Sequence, residues 1–163
     1  MNPATGDDWN LWLAENAGRF LLFARQQTRT EADAEDVLQE ALVESWQRVG
    51  RRPDPALVFA TIRRRAIDLA RAAERRLHRE ATAAADPAPW FDTAVHDRET
   101  SALLESALRA LPHEQREVVT LKEWGGLTFA EIASALTIPP GTAASRYRLG
   151  LAHLKESLSP VLS

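Results

Sequence analysis

Residues 127–154 read LTFAEIASALTIPPGTAASRYRLGLAHL, and this stretch predicts two short helices joined by a tight turn. Thr128 and Glu131 have the spacing of a capping box, in which the hydroxyl and the carboxylate each satisfy a free backbone N–H at the start of a helix. The Pro-Pro-Gly segment at 139–141 ends that helix, because proline lacks a backbone donor and restricts the residue before it. We therefore expect the second helix to start at about Thr142.

The second helix has two different faces. Small and apolar residues recur at helical spacing and predict the face that packs on the core: Ala143, Tyr147, Gly150 and Leu154. Pointing the opposite way are Ser145, Arg148, Leu149 and Ala152, with Arg146 at the edge. A helix, a short turn and a second helix with a polar outer face near its start form the helix-turn-helix arrangement, which places the second helix in a DNA major groove. An ordinary helical hairpin gives the same pattern, so the rest of the chain must decide.

The composition is typical of a soluble globular protein, with 45% hydrophobic and 26% charged residues in a chain of 163. This length has room for one medium domain or two small ones. No apolar run approaches the ~20 residues that span a bilayer, and the acidic N-terminus lacks the basic-then-apolar order of a signal peptide. The chain has no cysteine, which excludes disulfides, thiolate metal ligands and thiol catalysis. We expect a cytoplasmic protein with no membrane partner.

The net charge of −3 conceals a strong segregation of charge along the chain. Residues 1–50 have nine acids and four bases, whereas residues 51–80 have nine bases, all of them arginine, and four acids. Local field rather than overall charge steers association. The sequence therefore predicts one acidic and one basic contact surface.

Helical patterns follow one another along the chain, and no segment alternates like a strand. Ahead of the helix-turn-helix pair, helices are predicted over about residues 8–27, 30–49, 56–79, 99–111 and 112–124. Alanine, aspartate and proline dominate residues 81–98 and indicate a linker. The predicted fold class is all-α, with two small helical domains at 1–80 and 99–163 joined by that flexible linker. Trp90 and Phe91 are unusual in a tether, and we expect a local hydrophobic contact there, with docking on a domain or a partner as the alternative.

Three blocks of the sequence resemble bacterial RNA polymerase sigma factors. The segment DAEDVLQEALVESW at 33–46 resembles the polymerase-binding helix of that family, and LVFATIRRRAIDLARAAERR at 57–76 is similar to the helix that follows it. The segment LPHEQREVVTLKEWGGLTFAEIASALTIPPGTAASR at 111–146 is similar to the promoter-recognition domain. The blocks have the family's order and spacing, and the short two-domain layout is similar to the extracytoplasmic-function (ECF) subfamily.

The resemblance implies a transcription initiation factor whose partners are core RNA polymerase and promoter DNA. The N-terminal domain would bind the polymerase and help to melt DNA near the −10 position, and the C-terminal domain would recognise the −35 element. Contacts with the largest polymerase subunit would come from Asp36, Gln39 and Glu40. Contacts with promoter phosphates and separated strands would come from Arg63, Arg64, Arg65, Arg71, Arg75 and Arg76. The start of the recognition helix would contribute Thr142, Ser145, Arg146 and Arg148.

These residue types suit the implied roles. Acceptors on one exposed helix face can meet a basic partner surface, and clustered guanidinium groups neutralise phosphate and release counterions. A solvated polar face is the plain alternative for each set. Asp68 lies within the arginine cluster and is expected to pair with Arg64, Arg65 or Arg71 at helical spacing.

The chain departs from the family pattern in two places. Ala144, Leu149 and Leu151 stand where family members usually have basic residues, which implies weaker and less salt-dependent promoter binding. The loop GRRPDP at 50–55 is shorter than the family's and lacks the aromatic residues that often capture an unstacked base. Phe59 and Trp46 are the aromatic residues to test as substitutes that capture the base. For Trp46, a position in the core is the simpler expectation.

Two other functions are alternatives to that of a sigma factor. Asp33, Asp36 and Glu40 could hold Mg²⁺ in a helical hydrolase, but such a site needs a second acidic pair on a facing helix, and the most basic helix follows instead. The histidines have no ligand spacing and no phosphate loop or nucleophile motif occurs, so we expect no enzyme, no catalytic residue, no cofactor and no metal. A helix-turn-helix regulator that does not act through polymerase is the other rival, and it leaves the first two blocks without a role. The sequence does not identify the promoter. An anti-sigma factor stays open as a further partner.

Overall fold

The computed structural model describes residues 5–77, 89–92 and 98–162, and every regular element in these ranges is an α-helix. The all-α prediction is thereby confirmed. The chain divides into two compact units, Met1–Ala88 and Pro89–Ser163. The helices of the first unit are α1 (Thr5–Gln27), α2 (Glu31–Val49) and α3 (Pro55–Leu77). Those of the second unit are α4 (Arg98–Ala110), α5 (His113–Glu123), α6 (Phe129–Leu136) and α7 (Pro140–Leu162).

Aromatic packing holds the N-terminal unit together. Phe20 and Phe23 of α1 meet Phe59 of α3 edge to face, with ring centroids 5.0 and 5.6 Å apart. Such edge contacts add about 0.5–1.5 kcal/mol each to the area that the rings bury. Residues of α2 with small side chains, Ala34 and Ala41, are fully buried and let this helix approach the other two. The three helices thus enclose one apolar core.

Local signals in the sequence set the ends of α2. The Thr30 hydroxyl accepts the Asp33 backbone N–H at 3.1 Å, which satisfies one free donor at the helix start. At the other end Gly50 adopts a left-handed φ of 67°, and its N–H donates to the Trp46 carbonyl at 2.7 Å. Glycine adopts this conformation without a Cβ penalty. Arg25 of α1 binds Glu31 at 2.8 Å, and this hydrogen bond lowers the pKa of the Glu31 carboxyl.

The C-terminal unit has a separate core built from four helices. Its fully buried side chains include Leu108, Val118, Val119, Leu121 and Ile132. The predicted capping box is present at the start of α6, where Thr128 and Glu131 exchange hydrogen bonds of 3.0 and 3.1 Å. The box fixes the entry into the first helix of the pair.

The turn between α6 and α7 differs from the prediction at its far end. Thr137 caps α6 with a left-handed φ of 57°, a conformation that is uncommon for a β-branched residue. Helix α7 then begins at Pro140, two residues before the predicted start at Thr142. The reason is that the Pro139 carbonyl accepts the N–H groups of Thr142 and Ala143 at 3.0 and 3.1 Å. Pro140 has no N–H to lose at a first helical position.

The segment 89–92 belongs to the C-terminal unit. Trp90 is 5% exposed, and its ring lies 3.9 Å from the Arg109 guanidinium and 5.3 Å from that of Arg116. Its backbone N–H donates to Glu105 at 2.7 Å. Partial burial of the Arg116 guanidinium, followed by the nearby charge of Arg109, lowers the pKa of Arg116. The alternative expectation, docking on a domain, is what the structure shows, because Trp90 packs on Arg109 of α4 and Arg116 of α5, and Phe91 packs on Trp124 at 5.7 Å.

Candidate functional site

The outer face of α2 presents hydrogen-bond acceptors to solvent. Asp36, Gln39 and Glu40 are all exposed, as their spacing predicts. Val43 follows on the same face with 57% of its surface exposed. The helix faces outward here because its opposite side, which includes Ala34, Val37, Ala41 and Ser45, is buried. A partner with basic groups around a small apolar contact would fit this face.

The arginines of α3 do not lie on a single face. Arg64, Arg71 and Arg75 recur at helical spacing on one exposed stripe, interrupted by Asp68. Asp68, Arg71, Glu74 and Arg75 line a shallow hollow in that stripe. Arg76 is also exposed, whereas Arg63 and Arg65 are partly buried. The exposed stripe therefore offers a run of guanidinium groups with two carboxylates among them.

Ion pairs join the two candidate surfaces of the N-terminal unit. Arg65 reaches across from α3 to Glu40 at 3.0 Å and to Glu44 at 3.3 Å, and Arg64 also pairs with Glu44. Arg64 and Arg65 thus pair with carboxylates of α2, whereas the expectation had them pair with Asp68. The partners are one-third to one-half exposed, so solvent screening keeps each pair weak. Pairing of Asp68 with Arg71, which lines the same hollow, stays a prediction. Glu44 escaped the sequence analysis, although it lies one helical turn after Glu40.

A hollow of about 790 Å³ lies beside the short loop between α2 and α3. Trp9 and Trp46 form part of its wall, with ring centroids 4.7 Å apart and edge to face. Arg51 and Arg52 lie at the same hollow, and Arg52 pairs with Asp8 at 3.0 Å. Trp46 is half-buried rather than fully in the core. Trp9 was not singled out from the sequence, because only the tertiary fold brings it to this loop.

Phe59 is not placed to capture a base at this loop. Its side chain is 1% exposed and is enclosed by aromatic rings of α1. A ring that captures a base must reach the surface, so the suggestion that Phe59 substitutes for the missing loop aromatics is wrong. Among the two rings considered, Trp46 is the accessible one.

Contacts along its inner face fix the orientation of α7. Gly150 lies so close to α5 that a Cβ atom there would be 2.7 Å from Cγ2 of Val119. The Tyr147 hydroxyl donates to the Glu123 carboxylate, which raises the pKa of the tyrosine. The Tyr147 ring also meets Phe129 of α6 edge to face at 5.4 Å. These contacts determine which side of α7 faces outward.

The outward side of α7 carries the predicted DNA-contacting residues. Thr142, Ser145 and Arg146 are partly exposed and Arg148 is exposed. Leu149 is 51% exposed beside them. The structure thus brings these side chains to one surface at the start of the second helix of the helix-turn-helix pair, in the C-terminal unit.

Two kinds of feature are absent from the part of the chain that the structure describes. Within residues 5–77, 89–92 and 98–162, no three His, Asp or Glu side chains converge to hold a metal ion. In the same ranges, no helix has the length and apolarity needed to cross a bilayer.

Comparison with known proteins gives matches to both units. Residues 13–76 match Sigma-70 region 2, and residues 101–154 match Sigma-70, region 4. The RNA polymerase sigma-E factor of Streptomyces coelicolor is 33% identical over 137 residues, which cover 83% of this chain and 77% of that protein. The ECF RNA polymerase sigma factor SigL of Mycobacterium tuberculosis is 31% identical over 153 residues, covering 88% and 85%. A sigma factor RpoE from Bartonella quintana, solved in complex with the anti-sigma factor NepR, has a TM-score of 0.68 at 22% identity, covering 93% of this chain and 97% of that one.

The fold and the surface of α7 define a helix-turn-helix protein with a second, acidic-faced helical unit. The matches to both units go further: the chain belongs to the ECF sigma factors of bacterial RNA polymerase. It is a transcription initiation factor that binds core RNA polymerase and directs it to promoters. The resemblance drawn from the three sequence blocks is confirmed.

Proposed function

We propose that the two domains expected from the sequence at 1–80 and 99–163 divide the work of initiation. The N-terminal domain binds core polymerase and opens DNA near the −10 position, and the C-terminal domain binds the −35 element. The observation that carries this proposal is the exposed acceptor face of α2 beside the arginines of α3. We also propose a cytoplasmic protein without catalytic activity, since its polymerase partner supplies the chemistry.

In this proposal, Asp36, Gln39 and Glu40 contact the largest polymerase subunit. Hydrogen bonds to charged groups are shorter and stronger than neutral ones, and opposed charges also speed the encounter. The exposed side chain of Val43 adds an apolar contact within the same face. Such a contact helps to exclude water from the charged pairs, which raises their strength.

The pairing of Glu40 with Arg65 links polymerase binding to DNA binding. A basic polymerase group at Glu40 would share the carboxylate with Arg65, which binds it at 3.0 Å, and would weaken that pair. Polymerase binding would therefore loosen the hold of Glu40 on Arg65 and leave Arg65 freer to contact promoter phosphate. The exchange costs little because the pair is partly solvated. The other arginines proposed to contact promoter DNA are Arg63, Arg64, Arg71, Arg75 and Arg76.

The hollow beside residues 50–55 is the proposed place for an unstacked base. Trp46 and Trp9 offer ring surfaces there, and base–aromatic stacking is worth about 1–3 kcal/mol. Arg51 and Arg52 would attract the neighbouring phosphates. In this way the chain would compensate for the aromatic residues that its short loop lacks.

An anti-sigma factor is a further proposed partner, because the related Bartonella quintana structure is such a complex. The rival function, a DNA-binding regulator independent of polymerase, gains no support from the acceptor face of α2.

We propose that recognition of the −35 element depends on Thr142, Ser145, Arg146 and Arg148. Backbone N–H groups and Thr142 would set the register on phosphate, and the other three would reach base edges or the backbone.

Transcription in a purified system tests the proposal as a whole. The full chain, core polymerase of the encoding organism and a randomised promoter pool should yield transcripts that start downstream of two enriched sequence elements. Core polymerase alone should yield none of them. A chain that binds DNA from the pool without polymerase, and leaves initiation unchanged, would establish the regulator instead.

Replacing Arg146 and Arg148 with alanine should weaken binding of the holoenzyme to the isolated upstream element. Each lost phosphate contact lowers the slope of log K against log salt by about one unit, so the slope should fall by up to about two. A matched control is Arg29→Ala with Arg48→Ala, two exposed arginines of the N-terminal unit, which should leave the slope unchanged. An unaltered slope in the Arg146 and Arg148 variant would mean that α7 does not engage DNA as proposed.

A further inference from the structure

Leu149 is an apolar side chain on the outward surface of α7. The inward stripe of this helix, which includes Ala143, Gly150 and Leu154, is buried in the C-terminal unit. Leu149 lies on the other side with 51% of its surface exposed. A single exposed leucine is common on protein surfaces, so its position among the polar residues decides its role.

The surroundings of Leu149 favour DNA over an apolar protein groove. It continues the stripe of Thr142 and Arg146 at helical spacing, and the exposed Arg148 is its neighbour in sequence. The helical rise places Leu149 about 10 Å beyond Thr142 along the axis. The second helix of a helix-turn-helix lies in the major groove, so Leu149, about two turns beyond Thr142, is still placed beside base edges. The flanking guanidinium groups attract phosphate on both sides.

The chemistry of the groove then selects a base. Base edges there present donors and acceptors, and thymine alone adds a methyl group. A leucine side chain leaves polar edges without a hydrogen bond, which is unfavourable, but it gains from burying a methyl group. We propose that Leu149 contacts the C5-methyl group of a thymine in the upstream promoter element and makes this factor prefer thymine at that position. The inference rests on the proposed function, in which α7 binds that element.

Substitution of uracil for thymine tests this contact, because it removes only the methyl group. The upstream element is first enriched from a randomised pool with the full chain and core polymerase, and each thymine is then replaced in turn. At one position the wild-type holoenzyme should bind about fourfold more weakly, the equivalent of one buried methylene. Leu149→Ala should bind the thymine and uracil versions of that element equally.

A second variant should gain a new base preference rather than lose one. Leu149→Arg should enrich guanine at the same position, since arginine binds the O6 and N7 acceptors of that base. The control is Leu103→Ala, which removes a leucine that is 40% exposed on α4 and should keep the wild-type thymine preference.

The possible outcomes separate the two proposals. If every uracil substitution affects wild type and Leu149→Ala alike, and Leu149→Arg enriches the wild-type sequence, the thymine contact is overturned while promoter recognition stands. If the wild-type holoenzyme enriches no upstream element at all, the proposed function of α7 fails and this inference fails with it.

Discussion

The double variant Asp36→Lys with Glu40→Lys is expected to lose binding to core RNA polymerase. Hydrogen bonds to charged groups contribute about 1.5–3 kcal/mol each, so two lost contacts lower affinity by roughly a hundredfold or more, and the new like charges add repulsion. Both side chains are exposed, so the helix itself should persist. Binding is measured by titrating labelled chain with core enzyme, and helical content by circular dichroism.

A matched control separates specific contacts from overall charge. Glu15→Lys with Glu156→Lys makes the same change in net charge at two exposed acids on other helices. This control should bind core polymerase within about threefold of wild type, because isolated exposed charges act mainly through screened, long-range steering. Retained binding by the Asp36 and Glu40 variant, or equal loss in the control, would remove the acceptor face of α2 as the polymerase contact.

Glu40 has a second role in the same experiment. Lysine at this position also places a like charge where Arg65 now binds at 3.0 Å. Arg65→Ala removes that complication, because it leaves the acceptors of α2 intact. It should therefore keep polymerase binding, which distinguishes a direct contact of Glu40 from an indirect effect through α3.

Local sequence signals predicted the parts of the fold that depend on residues close together in the chain. The capping box at Thr128 and Glu131 lies within one helical turn of the helix it starts, and it is present. The same holds for the inward stripe of α7, since periodicity alone separates the two faces of a helix. The predicted start of α7 at Thr142 was two residues too late, because sequence patterns do not show that the Pro139 carbonyl closes the first turn of this helix.

Contacts between distant segments were beyond the reach of these signals. The composition around Trp90 indicates a linker, yet the ring is buried between Arg109 and Arg116, some twenty residues further along the chain. The pairing of Arg65 with Glu40 likewise depends on how α2 and α3 pack, which no period of one helix encodes. The chemical character of the candidate surfaces could be predicted, whereas the couplings between them could not.

The position of Phe59 also depends on contacts between distant segments. Its replacement with alanine has the largest expected effect on stability. From the sequence it was one of two rings that could capture a base, but the structure places it in the core between Phe20 and Phe23. Truncation of a buried phenylalanine costs about 3–5 kcal/mol. Whole domains are stable by only about 5–15 kcal/mol, so Phe59→Ala should leave the N-terminal unit close to unfolding.

Hydrogen exchange of the full chain measures this loss and contains its own control. Amides of α3 should lose protection in Phe59→Ala, whereas those of α5 should keep theirs, because Val118, Val119 and Leu121 belong to the separate core of the C-terminal unit. Trp46→Ala should cost less, since that ring is only half-buried, and should impair promoter opening while α3 stays protected. If the α3 amides of Phe59→Ala keep their protection but the variant fails to open promoters, the core position assigned to Phe59 is contradicted. Phe59 would then be the exposed ring that binds the base.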